Sequence, residues 1–182
     1  MSFFSRNFKN DPTRTKVEEW QMTIPITPKE KAEGMNAKKL YDMNVWTMDF
    51  KDPLMQGVSP FPVEGHMDIN YGIVLDHAFV SPGAITLGHE VGHWIGLLHI
   101  FDSGCENEGD GIAETIMYNM TDISLMTSCA PRIACDGSSF IPNNLMDYAG
   151  DDCATEPTPQ QRALMRENMI KLRNLKPGPV FN

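Results

Sequence analysis

Apolar and polar positions alternate along Lys39–Phe50, with Leu40, Val45, Trp46 and Phe50 in the apolar set. That period predicts a strand. Leu54–Pro62 reads as a short extended segment, and Gly57 and Pro60 within it mark an edge strand rather than a central one. Ile69–Leu75 is a third strand candidate. The period then changes. Ile85, Leu87, Val91, Trp94 and Ile95 predict a helix over Ala84–Gly96, opened by Ser81 and Pro82 with the proline in its first turn. Residues 100–156 show little periodicity and are rich in Gly, Asp, Ser and Cys. A compact domain keeps so long an irregular stretch only with staples or bound ions. Thr158-Pro159-Gln160-Gln161 is a capping box with proline at the first helical position. Ala163, Leu164, Met169, Leu172 and Leu175 carry that last helix to a stop near Lys176-Pro177-Gly178. Before all of this, Pro12, Pro25, Pro28 and Gly34 punctuate a polar, mostly irregular arm.

A chain of 182 residues is one domain's length and can bury a real core. Its net charge, 15 − 24 = −9, argues against nucleic acid and anionic membranes as partners. No window reaches the roughly 18 consecutive apolar residues of a membrane helix. The four cysteines, Cys105, Cys129, Cys135 and Cys153, all fall in the irregular stretch. An even number in one region predicts two disulfides and an oxidising compartment, with three pairings open. No CxxC pair suggests a cysteine metal site. Met1–Asp11 holds Arg6 and Lys9 but no apolar run of signal-peptide length.

The chemistry is carried by residues 89–99, His-Glu-Val-Gly-His-Trp-Ile-Gly-Leu-Leu-His. On a helix His89 and His93 stand one turn apart on the same face. Gly96 can end the helix in a left-handed turn, and the returning chain offers His99. Three imidazoles leave one tetrahedral position of a zinc ion open, the arrangement of a catalytic rather than a structural site. The ion lowers the pKa of water there to about 7. Glu90, beside the first ligand, can take the water's proton as it attacks a carbonyl and return it to the leaving amine. His66 and His77 lie outside this pattern and read as surface or packed histidines. There is no GxSxG, and Gly109-Asp110-Gly111 lacks the third glycine and preceding strand of a nucleotide loop.

The complete HExxHxxGxxH pattern resembles the metzincin clan of zinc peptidases. Asn143–Tyr148, with Met146, looks like the methionine turn that clan carries downstream. Gly88–Phe101, Gly104-Cys105, Asp152-Cys153 and Thr158-Pro159-Gln160 narrow the resemblance to pappalysin-like peptidases over residues 38–175. It implies an α+β fold: an upper lobe, 38–99, with a twisted sheet and the zinc helix, over an irregular disulfide-bonded lower lobe, 100–182, with the C-terminal helix. Residues 1–37 would be an arm, a remnant of a pro-segment. The resemblance further implies zinc on His89, His93 and His99, with Glu90 as general base. Met146 would form the floor under the metal, and Tyr148 would hydrogen-bond the oxyanion. It pairs Cys105 with Cys135 and Cys129 with Cys153. It points to calcium at Asp110, Glu114 and Thr115, although the family's Asp-Thr-Pro is Glu114-Thr115-Ile116 here. Met55, Gly57, Val58 and Phe61 would be the edge strand that pairs with an extended polypeptide substrate. Members of this family are secreted, and the sequon Asn119-Met120-Thr121 matters in that setting. They carry a signal peptide, a pro-segment and an early strand not evident here, which leaves open a truncated gene model, a mature form with an added Met or a shortened paralogue. The alternative function is therefore a catalytically impaired zinc-binding paralogue acting as an interaction domain.

Overall fold

The run Gly72–Asp76 forms β3, the centre of a three-stranded sheet of order β1-β3-β2. Four apolar or small residues in succession suit a strand covered on both faces. Ile73, Val74 and Leu75 are buried accordingly. Strand β1 (Asn44–Met48) pairs with β3 in parallel, Val45 opposite Ile73 and Trp46 opposite Val74. Strand β2 (Gly57–Val58) pairs antiparallel on the other side, Gly57 opposite Leu75. The interrupted segment is thus an edge of the sheet among the described residues, but only two residues long. Met55 belongs to the preceding turn, its N–H bonding Asp52 O at 3.1 Å, and Phe61 lies beyond the ladder.

This computed structural model describes residues 43–62, 72–106 and 108–172. The expected arm 1–37, Lys39–Asp42 of the first strand, His66, Ile69–Tyr71 and the stop at 176–178 lie outside them.

Helix α1 (Thr86–Ile95) begins two residues later than predicted. Pro82 stands not in its first turn but in a separate turn closed by Ala84 N to Ser81 O. The start is set by distant partners: Asp151 Oδ1 accepts from Ile85 N, and Thr86 Oγ1 donates to Gln56 Oε1. The end is as expected. Gly96 has φ 102°, and Gly96 N and Leu97 N return to His93 O and Gly92 O. Such a left-handed close favours glycine.

Helix α2 (Pro159–Lys171) has the full capping box, Thr158 with Gln161, and proline in its first turn. Its inner face is Gln161, Leu164, Met165, Asn168 and Met169, at three- and four-residue spacing. Ala163, expected inside, is exposed. Asn168 Nδ2 donates to Ile95 O at 2.9 Å, capping α1 from α2.

Two apolar clusters meet at Met165. Ile73, Leu75, Trp94 and Ile95 fill the space between sheet and helices. Leu97, Ile100, Tyr118 and Met146 form the second, below the first helix. The irregular stretch contains one small hairpin, β4 (Arg132–Ile133) with β5 (Ser139–Phe140). Disulfides join Cys105 to Cys135 and Cys129 to Cys153, the pairing the resemblance implies.

Candidate active site

Helix geometry puts His89 and His93 on one face, and the Gly96 turn brings His99 back to them. The Nε2 of His93 lies 3.1 Å from that of His89 and 3.0 Å from that of His99. Each Nδ1 faces an oxygen: Leu145 O at 2.8 Å for His89, Leu97 O at 2.8 Å for His93, Asp102 Oδ1 at 3.3 Å for His99. Carbonyls and carboxylates only accept, so each ring carries its proton on Nδ1. Three Nε2 lone pairs therefore converge, an arrangement that repels itself without a cation among them. Ligand nitrogens about 2.0–2.1 Å from a tetrahedral zinc stand about 3.3 Å apart, close to the spacing here. Among the described residues this trio is the group of His, Cys, Asp or Glu with metal-holding geometry. His77 is elsewhere, exposed and paired with Asp49 at 2.5 Å.

Burial holds the rings neutral. It lowers His89 to about 3, with His93 and His99 adding like-charge repulsion, and His99 to about 3, with His93 adding the same. His93 is lowered too, again chiefly by burial. Neutral imidazole is the form a metal binds. Glu90 follows His89 on the helix, and its charge reaches Tyr148, whose hydroxyl burial pushes up and Glu90 pushes further. Glu90 is buried, its Oε2 has no hydrogen-bond partner, and burial pushes its carboxyl up to about 8. A Cβ at Gly57 would lie 2.8 Å from Glu90 Cγ, so the glycine on the edge strand makes room for the carboxylate.

The turn at 144–148 closes the site from below. Leu145 O orients His89, and Met146 is fully buried beneath the helix. A Cβ at Gly92 would stand 2.3 Å from Met146 Sδ, so glycine one residue before His93 lets the methionine approach. The Tyr148 ring lies 4.6 Å from that of His99 and 5.8 Å from that of His89.

Sequence reasoning missed what holds this turn. Arg132 Nη1 bonds Asp147 Oδ1 at 2.6 Å and the Tyr118 hydroxyl at 2.7 Å, and Tyr118 donates to the same carboxylate at 2.5 Å. Arg132 Nη2 donates to Tyr148 O and, at 2.9 Å, to Leu125 O. Asn144 and Gln161 exchange side-chain amide bonds at 2.8 and 3.2 Å, tying the turn to the start of α2. No pattern surrounds Arg132 in the sequence. Gln161 was visible only as a capping residue.

Most polar atoms of the proposed calcium residues are engaged with protein, while Asp110 Oδ2 is buried without a hydrogen-bond partner. Asp110 Oδ1 accepts from Thr115 Oγ1 and Ile112 N. Glu114 and Gln160 exchange bonds between side chain and main chain. These bonds give no support to a calcium site. Asn119 is exposed, and its Oδ1 accepts from Cys105 N at 3.2 Å.

The shifts set a pH optimum for the metal-free protein. Between pH 6.5 and about 3 the unfolded chain takes up protons at His89 and His99 that the folded one refuses, so stability falls as pH drops through that window. Glu90 acts oppositely. Its folded pKa lies above the unfolded 4.5, so its contribution is lost as pH rises towards 8. The site's contribution thus peaks near pH 6.5. Thermal unfolding in chelator should show this maximum, and Glu90→Gln should flatten its alkaline side.

Residues 31–170 match the peptidase M43 family, described as pregnancy-associated plasma protein-A. An extracellular metalloprotease of Verticillium alfalfae is 31% identical over 137 residues, 67% of this chain and 47% of that protein. One from Colletotrichum graminicola is 40% identical over 83 residues, 44% of this chain and 28% of that protein. The chain thus spans about half the length of the Verticillium relative or less. Mature mirolysin of Tannerella forsythia in complex with a cleaved peptide superposes with TM-score 0.59 at 26% identity, covering 72% of this chain and 54% of mirolysin.

Proposed function

Because the chain belongs to the peptidase M43 (pregnancy-associated plasma protein-A) family and has its α+β metzincin fold, we propose that it is a zinc endopeptidase acting on extended polypeptides outside the cell. The observation that carries this reading is the convergence of three Nε2 lone pairs, with Glu90, next in sequence to the first of them, holding a buried oxygen that has no hydrogen-bond partner. His89, His93 and His99 would hold the zinc. When bound, the ion supplies a Lewis acid that polarises a carbonyl and makes water acidic near neutral pH.

The chain's own residues do the rest. Glu90 accepts the proton of the attacking water and delivers it to the leaving amine. The buried wall around it keeps bulk water from competing for that proton. The Tyr148 hydroxyl donates to the oxygen that gains charge on attack. Met146 supplies an apolar floor, and Arg132 holds the main chain of Tyr148. Strand β2, an edge of the sheet among the described residues, would pair its outer side with a substrate backbone, which favours extended chains over folded ones. Mirolysin, solved in complex with a cleaved peptide, supports that substrate class. Export is supported by the extracellular relatives and by two disulfides. In this proposal residues 38–182 are the catalytic domain and residues 1–37 precede it.

Zinc-loaded protein should cleave an unfolded polypeptide. A zinc chelator should stop cleavage, and one equivalent of zinc should restore it. A protein that binds one zinc and cuts nothing would leave the interaction-domain reading instead.

A further inference from the structure

Two of the three histidines are oriented by main-chain carbonyls, Leu145 O and Leu97 O. His99 is different. It lies past the end of α1, in a turn closed by Asp102 N to His99 O at 3.0 Å. Its ring is held by a side chain: Asp102 Oδ1 faces Nδ1 at 3.3 Å while Oδ2 accepts from His99 N at 3.0 Å. One carboxylate therefore fixes both the backbone and the ring of the same residue. On its other sides the ring stacks on Phe101, 4.8 Å between centroids and 8° from parallel, and meets Tyr148 edge-on. Stacking limits tilt but leaves the choice of tautomer open. Only the carboxylate decides that the proton sits on Nδ1 and the lone pair on Nε2.

We propose that Asp102 is the positioning residue for the third metal ligand, setting the tautomer and ring angle of His99 and through them the affinity for zinc. The proposal rests on the histidine trio being the zinc site. Outer partners of ligating histidines contribute about 10–100-fold to metal affinity. Asparagine is the informative replacement. Its amide oxygen can still accept from His99 N, which keeps the turn, but its NH2 group then faces Nδ1. The ring is left with Nδ1 as acceptor and the proton on Nε2, where it blocks the metal.

The test is zinc affinity by competition with a chelating dye, for wild type, Asp102→Asn and His99→Ala. Histidine 15N spectra of the zinc-free proteins read the tautomer. Asp102→Ser, which keeps an acceptor for the turn and none for the ring, covers a failure of the first variant to fold. The expected result is a loss of about 10–100-fold in zinc affinity for Asp102→Asn or Asp102→Ser. The zinc-free thermal midpoint should stay near wild type, and in Asp102→Asn the His99 signal should move to the Nε2–H form. Affinity within threefold of wild type, or an unchanged Nδ1–H signal, alongside a clear loss for His99→Ala, overturns the proposal and leaves the zinc site standing. If His99→Ala binds zinc as wild type does, the site reading fails and takes the proposal with it.

Discussion

Replacing Glu90 with glutamine is expected to lower peptide cleavage by about 10²–10⁴-fold, the usual contribution of a positioned proton carrier. Zinc binding should remain at one ion per chain. The two side chains are nearly the same size, so the space beside Gly57 still accommodates residue 90. The histidine spacing does not involve it. What disappears is the ability to take a proton from water and hand it to the leaving amine. The loss should fall on kcat, since Glu90 has no assigned contact with bound substrate. Measurement of kcat, KM and bound zinc together decides the matter. Activity within tenfold of wild type, with zinc still present, would place the base elsewhere.

Removing either disulfide, as Cys105→Ala with Cys135→Ala or as Cys129→Ala with Cys153→Ala, should destabilise the fold by about 3.5 kcal/mol in the chain-entropy picture. The loops span sequence separations of 30 and 24. Domains of this kind have only about 5–15 kcal/mol in hand, so losing both would leave little folded protein. The reason lies in the region stapled. Between α1 and α2 the described regular structure is two strands of two residues and one short 3-10 turn. Few backbone hydrogen bonds there would survive without cross-links. The second disulfide also encloses the turn with Met146 and Tyr148, so its loss should reduce activity in molecules that remain folded. Urea midpoints and residual kcat of the two double variants separate these effects. A shift below about 1 kcal/mol for either pair would mean that packing alone holds its loop.

The site's local half was legible because its spacing is short. Eleven residues carry His89, Glu90, His93, Gly96 and His99, and one helix followed by one glycine turn converts that string into geometry. The capping box at Thr158 was legible for the same reason. The start of α1 was not, because Asp151 and Gln56 supply its partners from far along the chain. Arg132 left no trace in the pattern either. A lone arginine between two cysteines looks like a surface charge until the fold closes Asp147, Tyr118 and the Tyr148 carbonyl around it. The exposed Ala163 shows the limit of counting apolar letters. Helix α2 turns amides, Gln161 and Asn168, inward instead, to tie down the turn at 144–148 and the end of α1.

The three ring partners also have an order in time. Leu97 and Asp102 are near neighbours of the histidines they orient, whereas His89 waits for Leu145, 56 residues further on. A chain leaving the ribosome N-terminus first thus has two ligands aligned early. The alignment of His89, the methionine floor and the tyrosine follow only when residues 145–148 emerge and dock. On the proposed mechanism, the growing chain has no working blade until the turn at 145–148 has docked beneath the first helix.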